Sequence, residues 1–310
     1  MKLTGLVAAT YTPFHVDGSI HPELIPEMVD HMIDRGADGF YVCGSTGEGE
    51  SLSNIERMSI AEAFVSAAGG RVPVVIQVGH NSIEHARELA RHAAAIKADA
   101  ISTLPPTYFK PPTLELLIEY ISRVTEAAPE LSYYYYHIPR LSGVPVATVK
   151  LLEAVRDRIP SFAGIKFSDF FLAEMMACQQ LDEGRYDILF GSDEMLLGAL
   201  ATGATGAVGS CYGFAAPLWK HIIAAYEARD MELAQAWMAR AVELVNLLAS
   251  SPGPFHACVK QVILPALGFE VGACRLPQAT MTKSEVALAR RQLEASGLLE
   301  EIVSGSFRLP

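Results

Sequence analysis

The sequence predicts an α/β protein of the (β/α)8 TIM-barrel class with a C-terminal helical extension. Three observations carry that prediction. Apolar, β-rich runs alternate with helix-period segments over roughly the first 230 residues, and eight such pairs can be counted. The runs are near-continuously apolar, as strands of a parallel sheet covered on both faces are. Polar clusters follow five of the runs, at the ends where a barrel keeps its functional residues. An open, doubly wound sheet is the other architecture this alternation allows.

In chain order the strand candidates are GLVAATYTPF, GFYVCG, PVVIQVG, AISTLPP, SYYYYHIP, FAGIKFSD, DILFGSD and GAVGSC. Segments between them, such as SIEHARELARHAAAIK and TLELLIEYISRVTEAAP, repeat apolar residues every three or four positions. Ser82, with Glu84 and Glu88 close behind, is the predicted N-cap of the first of these. Pro22 and Pro217 are placed in first helical turns, where a missing N–H costs nothing. After the eighth unit the strands stop. MELAQAWMARAVELVNLLAS, PFHACVKQVILPALG and TKSEVALARRQLEAS all read as helices. Residues 1–230 are therefore expected to form the barrel, and 231–310 a structural extension of the same domain. Its apolar faces call for the barrel flank or another subunit.

Composition narrows the function. Half of the 310 residues are hydrophobic and the formal charge is -11, which speaks against nucleic acid as a partner. Cys43, Cys178, Cys211, Cys258 and Cys274 are odd in number and have no close pair, the usage of reduced intracellular thiols. No apolar stretch reads as a secretory signal or a membrane span. A cytoplasmic protein acting on a small molecule is expected.

Of the eight lysines, only Lys166 lies in a strand, within FAGIKFSD and close to its polar end. A desolvated amine tends to lose its proton and become a nucleophile, which fits imine chemistry on a carbonyl substrate. The alternative is a structural pairing with Asp169 or Asp193. Gly44-Ser45-Thr46-Gly47-Glu48 follows the second strand, and its small residues and adjacent hydroxyls suit a bound anion. It also reads as a plain helix-capping turn. In Tyr133-Tyr134-Tyr135-Tyr136 alternate rings face opposite sides, and most are core. Tyr136, nearest the polar end, is the proton-relay candidate. Asp193, Glu194 and Ser210 suit a polyhydroxylated ligand or a helix cap equally. No metal site is expected: His85, Glu88 and His92 alone look grouped, and that stripe reads as a solvated helix face.

Together, GSTGE after the second strand, Tyr136-His137-Ile138-Pro139 after the fifth and Gly164-Ile165-Lys166-Phe167-Ser168 on the sixth are distinctive. The chain resembles, over essentially its whole length, the dihydrodipicolinate synthase/N-acetylneuraminate lyase family of pyruvate-dependent class I aldolases. The resemblance implies a barrel that usually assembles as a homotetramer and needs neither cofactor nor metal. It implies that Lys166 forms an imine with pyruvate or another 2-oxo acid and that Tyr136 relays the proton. Ser45 and Thr46 would hold the substrate carboxylate. Tyr108 matches a tyrosine that in many members reaches the neighbouring subunit's site, and otherwise reads as an exposed loop aromatic.

The synthase branch usually carries an arginine two residues after the Y-x-x-P proline, where this chain has Leu141. YYYYHIPRLSGV looks instead like the lyase branch, especially its animal-type sequences. There the residues matching Ser168, Gly191, Asp193, Glu194 and Ser210 contact the polyhydroxy chain of an open sugar acid. Two departures stand out: Ser168 replaces a frequent threonine, and Cys211-Tyr212-Gly213 replaces Thr-Tyr-Asn. The implied activity is reversible cleavage of N-acetylneuraminate to N-acetylmannosamine and pyruvate. The alternatives are another pyruvate-dependent aldolase, acting on a 2-oxo-3-deoxy sugar acid or synthase-like, and a non-catalytic sugar-acid-binding barrel.

Overall fold

The computed structural model describes residues 2–309. Eight parallel strands close into a barrel: β1 (Gly5–Ala9), β2 (Gly39–Val42), β3 (Val74–Gln77), β4 (Ala100–Thr103), β5 (Ser132–His137), β6 (Phe162–Phe167), β7 (Asp187–Phe190) and β8 (Gly206–Gly209). β8 returns to pair with β1, Val208 opposite Val7, so no open sheet edge remains. Helices Ile25–Asp34, Asn54–Ala68, Ile83–Ala95, Leu114–Thr125, Thr148–Val155, Leu172–Gln180, Leu196–Ala201 and Tyr212–Glu227 follow the strands in turn.

Side-chain alternation along the strands makes two cores. Tyr133, Tyr135, Ile165 and Phe167 point outward into the layer beneath the helices. Tyr134 and Tyr136 point inward with Val7, Tyr41, Leu189 and Val208. Lys166, between Ile165 and Phe167, therefore faces the barrel interior. Pairing sets Tyr136 opposite Lys166 across β5 and β6, with Leu189 on the other side.

Local signals explain most helix ends. Ser53 with Glu56 and Thr282 with Glu285 form reciprocal capping boxes. Ser82 does not cap as expected: its side chain makes no capping bond, and its N–H donates to His80 Nδ1 at 2.9 Å. Pro22 opens a short 3-10 turn, Pro22–Leu24. Pro217 lies inside Tyr212–Glu227, two residues beyond a backbone break at Ala215.

The C-terminal segment is helical, as the sequence predicts. Met231–Ala249 packs against Tyr212–Glu227, and the His221 ring stacks on Trp237 at 4.4 Å. Phe255–Cys258 continues through a π turn, Val259–Ile263, into Leu264–Ala266. Lys283–Ala295 and Leu298–Ser304 complete it. All five cysteines are free and buried. Among the described residues, no helix is long and apolar enough to cross a membrane.

Candidate active site

A cavity of about 370 Å³ opens at the C-terminal ends of the strands. Ser45, Thr46, Tyr136, Lys166, Ser168, Gly191, Asp193, Glu194 and Ser210 all line it. The sequence scatters these nine positions over 166 residues, from 45 to 210. Parallel closure gathers them because they lie at or beyond the C-terminal ends of five strands, β2, β5, β6, β7 and β8. Tyr108 is not among them. Its ring is 79% exposed and stands edge-to-face with Phe109.

At the floor, Lys166 is 3% exposed. Its Nζ lies 3.8 Å from the centre of the Tyr41 ring and 3.9 Å from that of Tyr136. Burial drives the amine below its ordinary value, opposed by Tyr136 and, more weakly, by Asp193. No ion pair joins it to Asp169 or Asp193 among the described residues. Asp169 instead stands 3.6 Å from His137 Nε2. The structural-pairing alternative for Lys166 therefore has no contact behind it.

Tyr136 Oη lies 3.3 Å from Ser45 Oγ, which orients the phenol toward the GSTGE turn. Thr46 Oγ1 and Ser210 Oγ are 2.7 Å apart, joining the ends of β2 and β8. Asp193 is nearly buried; its Oδ2 accepts the Cys211 N–H at 2.8 Å. Burial pushes its carboxyl up to about 6. Ser168 Oγ is buried with no protein partner. Gly191 has no room for a side chain, because a Cβ there would overlap Ser168 Oγ. Gly209 is confined in the same way by the Asp193 carboxylate.

The GSTGE turn is fixed from below. Thr12 Oγ1 donates to Gly47 O at 2.6 Å. Glu48 adopts a left-handed backbone, φ 55°, which is strained for a side-chain-bearing residue. Its carboxylate accepts from Lys260 Nζ at 2.7 Å and from the Arg275 N–H at 2.7 Å. Both Glu48 and Lys260 side chains are fully buried. Lys260 also donates to Thr12 O and Ala273 O.

The extension is more than a structural addition. Val245, Ala249, Phe255 and His256 line the cavity. Tyr11 Oη and His256 Nδ1 are 3.2 Å apart, and burial, then Lys260, lowers the imidazole to about 4. Sequence reasoning missed Lys260 and His256. Their only local signal is polarity inside the otherwise apolar run PFHACVKQVILPALG.

Family comparison fits this geometry. The model described as "Dihydrodipicolinate synthetase family" matches residues 2–296. The chain belongs to that family. It is 38% identical to the N-acetylneuraminate lyases of Rattus norvegicus and Homo sapiens, over 96% of this chain and 94% of each relative. Among solved structures it is similar to the N-acetylneuraminate lyase of Proteus mirabilis, with TM-score 0.92, 36% identity and coverage of 96% and 100%. A dihydrodipicolinate synthase from Bacillus anthracis matches with TM-score 0.87 and 26% identity, over 95% of this chain and 99% of that one. Membership of this aldolase family and the closed barrel agree with the sequence-based expectation.

Proposed function

We propose that the chain is an imine-forming carbon–carbon lyase that cleaves N-acetylneuraminate reversibly to N-acetylmannosamine and pyruvate. The observation that carries this reading is the Lys166 amine, desolvated between two tyrosine rings at the floor of a hydroxyl-lined cavity. The named lyases among its relatives support the substrate class. So does the related sialic acid aldolase of Ruminococcus gnavus, known also as a catalytic lysine mutant.

In this reading the neutral Lys166 attacks the C2 ketone of the open-chain sugar acid; Tyr136 gives its phenol proton to the departing hydroxyl, which leaves as water, so that a protonated imine and the Tyr136 phenolate remain. Ser45 and Thr46 hold the carboxylate. Tyr136 takes the C4 hydroxyl proton as the C3–C4 bond breaks, and the electron pair moves into the imine to give an enamine. The aldehyde product is N-acetylmannosamine. Protonation at C3 and hydrolysis release pyruvate and restore the amine. Ser168, Gly191, Asp193, Glu194 and Ser210 border the path of the polyhydroxy chain, and the unpartnered Ser168 hydroxyl supplies a ready contact. The imine stores the charge of the departing carbanion, so the scheme calls on no cofactor or metal.

Residues 231–310 work with the barrel as one unit in this reading, since they supply part of the cavity wall. The exposed Tyr108–Phe109 pair suits burial against a second copy within a homotetramer. Five buried free thiols suit a reducing cytoplasm.

The test is borohydride reduction in the presence of pyruvate, followed by intact mass and peptide mapping. A reduced pyruvyl adduct on Lys166, absent in Lys166→Ala, is expected. Absence of an adduct on the folded wild-type protein would overturn the imine. Product analysis with N-acetylneuraminate against a panel of other 2-oxo acids then tests the substrate.

A further inference from the structure

A second cluster of ligand-type side chains lies outside the cavity, in the excursion that follows β1. Phe14 and Ile20 form an antiparallel bridge, closed by His15 N–H to Ser19 O at 2.8 Å and His21 N–H to Pro13 O at 2.9 Å. Asp17 Oδ1 accepts from both the Ser19 N–H and its hydroxyl. Gly18 turns the chain with φ +84°, and its carbonyl is gripped by Arg275 Nη2 at 2.7 Å and Nε at 3.0 Å. This short, doubly tied loop projects His15 and His21 to the same side. Their rings stack with centroids 4.0 Å apart.

Glu23, in the turn opened by Pro22, joins them: the donor atoms of His15, His21 and Glu23 all lie within 4.8 Å of one another. His21 Nδ1 is buried and has no partner. We propose that His15, His21 and Glu23 form a binding site for a divalent first-row transition-metal ion of the zinc type. Two imidazoles and a carboxylate are borderline nitrogen and oxygen donors, which favour zinc, cobalt, nickel or copper over magnesium or calcium. Three protein ligands leave the fourth tetrahedral position to water. Metal–ligand bonds of about 2.0 Å place tetrahedral donors roughly 3.3 Å apart. To aim both in-plane lone pairs at one ion at that spacing, the imidazoles must rotate out of their stacked arrangement, a movement open to the exposed His15 and half-buried His21 side chains.

The His85, Glu88 and His92 stripe, the only grouping visible in the sequence, does not converge. His92 Nε2 contacts Glu62, Glu88 accepts from Asn54, and His85 packs on His80. A helix face spreads such residues along its axis, whereas the loop after β1 folds two histidines back onto each other.

The test uses the full-length protein and Co2+ as probe, read by its visible absorption, with Zn2+ titration calorimetry in parallel. One ion per chain is expected, with Zn2+ displacing Co2+. Affinity should fall at least about tenfold in His15→Ala and in His21→Ala, and also in Glu23→Gln. All three residues are exposed or half-buried, so the variants should fold, which a thermal melt without metal checks. Failure of the wild-type protein to bind Co2+ or Zn2+ would overturn the proposal. So would binding of undiminished affinity in a His15→Ala/His21→Ala double variant.

Discussion

Lys260→Met should destabilise the protein far more than the loss of a surface charge would. In the native fold Lys260 Nζ lies 2.7 Å from Glu48 Oε1, and neither side chain is exposed. At an effective dielectric of about 20, two unit charges at that separation attract by roughly 6 kcal/mol. The substitution strands the Glu48 carboxylate, which retains the Arg275 N–H. A charge-assisted hydrogen bond of that kind supports it by about 1.5–3 kcal/mol. The expected net cost is about 3–5 kcal/mol, the usual consequence of breaking a buried pair from one side.

With an unfolding entropy of about 2.1 cal/mol/K per residue, a chain of 310 residues should lose roughly 5–8 °C in Tm. Lys260→Met/Glu48→Gln, which removes the stranded charge, should recover at least about 2 kcal/mol of the single variant's loss. Guanidinium unfolding of the wild type, both single variants and the double variant measures the coupling. The same variants should need about tenfold more pyruvate for half-maximal imine trapping, because the GSTGE turn loses its support. A single-variant cost below about 1 kcal/mol, or strictly additive losses in the double variant, would refute the reasoning.

Tyr136→Phe keeps the ring against Lys166 but removes the hydroxyl that faces Ser45. Turnover should fall about 10²–10⁴-fold while pyruvate is still trapped on Lys166; unchanged turnover would exclude the proton relay. The Asp193 carboxyl, pushed from 3.8 to about 6 by burial, binds its proton more tightly folded than unfolded. It therefore lowers stability increasingly as pH rises from 4 through 6, by about 3 kcal/mol above that range. Asp193→Asn should melt above the wild type at pH 7.5 and level with it near pH 4, and equal melting at pH 7.5 would contradict the assignment. Thr12→Val removes the hydroxyl that holds Gly47 O and should cost about 1–3 kcal/mol, measured by chemical unfolding. In the proposed homotetramer, Tyr108→Ala should weaken self-association in sedimentation, since the exposed ring stands edge-to-face with Phe109, and unchanged association would count against that role.

The order of strands and helices was legible because it is written in local periodicity. Near-continuous apolar runs such as PVVIQVG have few backbone choices other than a doubly covered parallel strand. The inward aim of Tyr136 and Lys166 follows from the same alternation, as does the gathering of polar strand ends at one rim. Helix caps were partly legible. Ser82 stands at the N-cap position but its hydroxyl makes no capping bond, while its backbone N–H donates to His80 Nδ1, an arrangement that residue type alone does not reveal.

What the sequence by itself determined was the barrel, its helical extension, and the identity of the residues that end its strands. Only the tertiary structure decided their partners. Lys260 read as one polar residue in a late helix, yet its counter-ion, Glu48, lies 212 positions earlier in the chain. His256 meets Tyr11 across 245 positions, and His15 finds His21 only because a two-sided bridge turns the backbone around. Periodicity reports which face of an element is buried. Which charge waits on the other side depends on how distant elements close upon one another.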